Sequence, residues 1–139
     1  MPNINEITAA AYSLLNADAA LTGMCRVRRG AKRPVRSKNP AVTVEIRNFE
    51  PGAGEGVWMC DVTVTAYADL LGDGAPDYDM LDGIMERVRA VLSDAELKLT
   101  GAKAHPLIEG NISAPDWRPE HAREMYQEAV FGLVFACFI

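Results

Sequence analysis

The sequence predicts an α+β fold, with an antiparallel or mixed sheet flanked by helices. Three observations carry that expectation. Residues 57–67 alternate with period two, and Leu81, Ile84, Met85, Val88, Val91 and Leu92 recur at helical spacing. Residues 129–139 form the most apolar run, about eleven positions, which suits a buried strand and is too short to span a bilayer. With 139 residues the chain is long enough for one domain with its own core, and a single domain over 1–139 is expected.

The central stretch is the strand–turn–helix unit from Val57 to Leu92. Trp58, Cys60, Val62, Val64 and Ala66 share one strand face, and Asp61, Thr63, Thr65 and Tyr67 share the other. Residues 72–76, Gly-Asp-Gly-Ala-Pro, break the chain. Asp77 is placed to cap the following helix, expected over 78–92. The apolar strand face and the apolar helix stripe can bury each other.

Before this unit, Ile4, Ile7, Ala10 or Ala11, Leu14 and Leu15 define an amphipathic helix, with Asn3 or Asn5 as its cap. It should end between Asn16 and Asp18, with a second short turn over Asp18–Leu21. Cys25 and Val27 hint at a short strand before Gly30. Residues 41–49 read as a strand, with Val42, Val44 and Ile46 inward and Thr43, Glu45 and Arg47 outward. The glycine-rich turn at 51–56 makes an antiparallel hairpin of 41–49 and 57–67 the simplest pairing.

After the helix, Leu97, Leu99 and Ala102 suggest a short edge segment, and residues 104–112 an irregular edge strand, because Pro106 lacks a donor. Residues 113–119 read as a loop, with Trp117 expected to cover a core edge. The last strand is expected over 124–138. Phe131, Leu133 and Phe135 alternate there with Val130, Val134 and Phe138, so both faces are apolar. One face should meet the helices and the other needs a cover, for which a second subunit is a natural candidate. Phe131, Leu133 and Phe135 are the candidate oligomer face.

Charge is unevenly distributed. The chain carries a net charge of −5, yet seven of its 14 basic residues fall in residues 26–38: Arg26, Arg28, Arg29, Lys32, Arg33, Arg36 and Lys38. Gly30, Pro34, Ser37, Asn39 and Pro40 argue for a flexible loop over 28–39. Three readings of it compete: a contact with an acidic neighbouring subunit, a DNA-facing loop, and a solvated surface loop. No aromatic residues are interleaved, so base stacking is not suggested. The three cysteines are widely spaced and fit a reducing compartment. No signal peptide is evident.

No constellation supports catalysis. His105 and His121 lack ligand partners at zinc spacing, and the pair His121 and Glu124 is not a site. Asp73, Asp77, Asp79 and Asp82 lack the calcium-loop pattern, and helix capping accounts for Asp77 and Asp79. Asp61, Glu45 and Lys38 could only be forced into a metal-nuclease role. Gly52, Gly54 and Gly56 precede a strand without a Lys-Ser or Lys-Thr pair, so they are hairpin residues and not a phosphate loop. No Gly-x-Ser-x-Gly elbow occurs. No enzyme activity, cofactor or metal is expected.

The order of elements resembles the tail terminator, or tail completion, proteins of long-tailed bacteriophages and prophages. The resemblance runs over nearly the whole chain. Its parts are the helix with Leu14-Leu15, the basic loop, the strands Pro40–Val44 and Val62–Ala68, the helix around Leu81, Ile84, Val88 and Leu92, and the final strand Val130–Phe138. It is a pattern of elements and not of diagnostic residues. It implies a non-catalytic structural protein forming a hexameric ring at the head-proximal end of the tail. The implied partners are further copies of itself, the tail tube protein, the head connector protein and, non-specifically, the DNA passing through. The implied location is the head–tail junction of the virion, with the host cytoplasm during assembly, and no membrane. Under this resemblance Arg28, Arg29, Lys32, Arg33, Arg36 and Lys38 are the candidate assembly or DNA-channel residues. Another neck or connector protein and a small nucleic-acid-binding module are the alternatives.

Overall fold

A computed structural model describes residues 3–29, 39–75, 77–93, 95–100, 102–104, 108–112, 116–117 and 124–137. Its elements in chain order are α1 (Ile4–Asn16), α2 (Ala19–Met24), β1 (Arg26–Arg29), β2 (Ala41–Pro51), β3 (Val57–Asp69), α3 (Tyr78–Leu92), β4 (Ala102–Ala104), β5 (Ile108–Ile112), β6 (Asp116–Trp117) and β7 (Glu124–Cys137). They form one seven-stranded sheet, in the order β1-β2-β3-β7-β4, with β5 and β6 also paired to β7. β1 runs parallel to β2 and every other pairing is antiparallel, so the sheet is mixed.

The expected hairpin is present. Val44 pairs with Val64 and Ile46 with Val62, and β7 lies on the other side of β3, with Phe131 opposite Val62 and Leu133 opposite Cys60. These registers put Val42, Val44, Cys60, Val62, Val64, Ala66, Phe131, Leu133 and Phe135 on one face, where they join a single buried cluster. The helices deliver Ile7, Ala11, Leu15, Leu21, Leu81, Ile84, Met85, Val88 and Leu92 to that same cluster. α1 packs over β1 and β2, and α3 over β3 and β7. Each buried Val or Leu contributes about 1.5–3 kcal/mol.

Local chemistry fixes the helix ends. The Asn3 side chain accepts from Glu6 N at 2.8 Å and caps α1. Asp77 Oδ1 accepts from Met80 N at 3.2 Å and caps α3. The short turn expected at Asp18–Leu21 is the helix α2, capped by Asp18, whose Oδ2 accepts from Leu21 N at 2.9 Å. The segment after α3 is tied back to α1, where Thr100 N donates to Glu6 Oε1, and Leu97 enters the core.

Asp18 also links α2 to α3. Arg87 Nε and Nη2 donate to its two carboxylate oxygens at 2.7 Å each, a bidentate fork. The hydrogen bond from Arg87 holds the Asp18 carboxyl below its ordinary range, and raises the guanidinium in turn. A carboxyl depressed by folding stabilises above its unfolded pKa and loses that contribution as pH falls through the folded value. Asp18→Asn keeps a capping oxygen but loses the ion pair. It should melt below wild type at pH 7, with the gap narrowing under acid conditions below the carboxylate range and in high salt. Equal melting temperatures at neutral pH would show that the pair contributes nothing.

The β2–β3 hairpin is irregular near its tip. Register shifts between Arg47 and Glu50, and Asn48 sits there with φ +52°. Asn tolerates this left-handed conformation better than most residues, and Asn48 Nδ2 donates to Asp61 Oδ2 at 2.7 Å to fix the bulge. Beside it Phe49 contacts Trp58 and Phe135, with ring centroids 5.3 and 5.9 Å apart, and closes the end of the core.

Several expectations are corrected. The flexible loop expected over 28–39 begins too early, because Arg28 and Arg29 belong to β1 and pair with Thr43 and Val44. Residues 113–119 are not all loop, since Asp116 and Trp117 pair with Tyr126 and Met125. The expected edge segment at Leu97, Leu99 and Ala102 has regular pairing only from Ala102. Lys32, Arg33, Arg36, Lys38, His105, His121 and Phe138 lie outside the described residues, as does the Trp117 side chain.

Candidate assembly surfaces

The candidate oligomer face does not survive. Phe131, Leu133 and Phe135 are 0%, 1% and 0% exposed, packed inside the chain's own core. A side chain with no accessible surface has none to give to a second subunit. Pairing of β7 with Cys60 and Val62 of β3 turns this row toward the helices. The opposite row of β7 includes Val130 and Gly132, both half-buried.

Among the described residues, the three helices bury their apolar stripes on one face of the sheet. The other face carries Thr43, Thr63, Thr65 and Tyr67, with Arg26 and Arg28 at its β1 edge, as the registers with Ala41 and Thr43 require. Tyr67 meets Tyr126 across the strands at 6.3 Å between ring centroids. Glu45 and Arg47 form an ion pair on this face. Thr63 is 1% exposed, and its hydroxyl is buried without a hydrogen-bond partner.

Of the candidate basic residues, the structure places Arg28 and Arg29 on exposed positions of the outer strand β1. An arginine-rich edge strand resists pairing flush with another strand. The short strand that Cys25 and Val27 hint at before Gly30 is β1, with Val27 buried and flanked by exposed arginines.

Four of the acidic groups weighed for chemistry are in structural use. Asp61 accepts from Asn48, Glu45 pairs with Arg47, Asp77 caps α3, and Asp73 Oδ1 accepts from Ala75 N at 2.9 Å. Among the described residues, no group of three or more His, Cys, Asp or Glu is gathered where a metal ion could be held. Burial pushes the Cys25 thiol up to about 11 and the Cys60 thiol up to about 12, so neither is a ready nucleophile. A cavity of about 380 Å³ opens between α1 and the segment 96–98, lined by Leu14, Ala17, Leu97 and Lys98 among others. Ser13, Glu96 and Lys98 supply its polar lining, and no hydrogen bond or ion pair joins their side chains. No helix among the described residues is long and apolar enough to cross a membrane.

Among the described residues, the arrangement is a mixed sheet with helices on one face and an exposed, arginine-bearing strand at its β1 edge. Its fold has a counterpart among solved structures. A chain of the virion of a native gene transfer agent particle is similar, with a TM-score of 0.76 and 20% sequence identity over 94% of this chain and 94% of that one. The two chains share their fold. No family model and no curated protein matches this sequence.

Proposed function

We propose that the chain is a structural component of a phage-tail-like virion, and that it forms the ring ending the tail tube at its head-proximal end. The observation that carries this reading is the fold it shares, over 94% of both chains, with a chain of the gene transfer agent virion. The element order that resembles tail terminators points the same way. In this reading residues 1–139 act as one unit without catalysis. It binds further copies of itself, the last layer of tail tube protein and the head connector protein, and lets DNA pass. It works at the head–tail junction of a particle assembled in the host.

A ring of identical copies uses one heterologous contact repeated around an axis. Native mass spectrometry of the purified chain across a concentration series tests this. The expected species is a closed oligomer, six copies under the tail-terminator resemblance, in equilibrium with monomer. A monomer at every concentration, with and without tail tubes, would refute the ring.

A further inference from the structure

Charge in this chain is segregated twice. Residues 26–38 contain seven basic residues and no acidic one, and residues 69–86 contain six acidic residues and no basic one. Among the described residues, the fold places Arg28 and Arg29 on a different element from the carboxylates of α3. Arg28 and Arg29 are exposed on β1, the outer strand of the sheet. α3 packs over β3 and β7, beyond β2 from that edge. Its outer stripe, Asp79, Asp82 and Glu86, is exposed. The spacing of three and four residues stacks these carboxylates on one side of the helix.

Among the described residues, Arg28, Arg29, Asp79, Asp82 and Glu86 are not neutralised. Other charges are paired, Asp18 with Arg87 and Glu45 with Arg47, but no described residue pairs with Arg28, Arg29, Asp79, Asp82 or Glu86. Like charges at this helical spacing repel by a few tenths of a kcal/mol in an isolated chain, and the repulsion is relieved when a cation arrives. Arginine is suited to that role, since its planar fork matches a carboxylate in bidentate fashion.

We propose that the arginines of β1 in one copy dock against the acidic stripe of α3 in the next copy. The inference rests on the ring reading and names the surfaces that build the ring. Donor and acceptor occupy different elements of one chain, the β1 edge and the exposed stripe of α3, so each copy gives with one surface and receives with the other. That is the geometry of a heterologous contact, which closes when the rotation per copy allows. Another copy is favoured over DNA because the acidic complement is on the page, in the same chain, while the net charge of −5 opposes a polyanion.

Two charge-reversal variants test it, Arg28→Glu with Arg29→Glu, and Asp82→Lys with Glu86→Lys. All four positions are exposed, so both variants should fold, which a cooperative melt verifies. Each variant alone should self-associate about tenfold more weakly than wild type, or worse, at moderate salt. Mixing them should restore association, because the reversed edge of one meets the reversed helix of the other. Wild-type association should itself weaken with salt. Association of both folded variants at wild-type strength would overturn the proposal while leaving the ring intact. So would a mixture that fails to recover. Loss of duplex DNA binding by the arginine variant, with association unchanged, would overturn it in favour of a channel role. A wild-type chain that stays monomeric refutes the ring reading and this contact with it.

Discussion

Val64→Asp is expected to abolish folding. Val64 is fully buried at the centre of β3, paired with Val44 and with Ala129 on either side. A carboxylate there has no cation to pair with in the apolar cluster. Burying an unpaired charge costs several kcal/mol, and the group would rather stay in water than ionise inside. A typical domain of this size is stable by only about 5–15 kcal/mol, and the variant also loses the burial of the valine itself. Circular dichroism should show loss of the cooperative melt, and expression should yield insoluble protein. A soluble V64D variant with a sharp thermal transition would remove Val64 from the core.

Phe131→Ala is expected to destabilise the isolated monomer by about 3–5 kcal/mol, as large-to-small changes at filled aromatic sites do. The effect separates the two roles this side chain could have had. On an oligomer face it would weaken association and leave the monomer's unfolding midpoint nearly unchanged. In the core it shifts the urea midpoint at concentrations where no oligomer exists. We expect the second outcome, because Phe131 is 0% exposed and opposes Val62 in the cluster beneath the helices. A monomer of unchanged stability would return the residue to the surface.

Alternation shows that β7 has two faces, but with Phe131, Leu133 and Phe135 on one and Val130 and Val134 on the other, it does not say which is inside. The partner decides. Phe131 lies opposite Val62, and Val62 already faces α3 through a pattern that was legible, since its flanking neighbours are Asp61 and Thr63. The 78–92 helix, its Asp77 cap and the 41–49 with 57–67 hairpin were readable for the same reason. Each buries one clear face against polar alternates.

β1 was less legible. Its parallel pairing to β2 links strands that no tight turn connects, and only one of its four residues is buried. Cys25 and Val27 hint at a strand before Gly30, but Gly30, Pro34, Ser37, Asn39 and Pro40 argue for a loop, and its start at residue 28 takes in Arg28 and Arg29. The surfaces we assign to assembly were half visible. The basic run stands out in sequence, whereas the exposure of Asp79, Asp82 and Glu86 on one unpaired stripe depends on how α3 is seated.

The head-proximal role is tested most directly by growing tail tubes from purified tube protein in the presence of this chain, and imaging them by electron microscopy. The account predicts that elongation stops and that the chain appears as a ring at one end of each tube. Tubes that keep growing, with the chain absent or spread along their length, would contradict it.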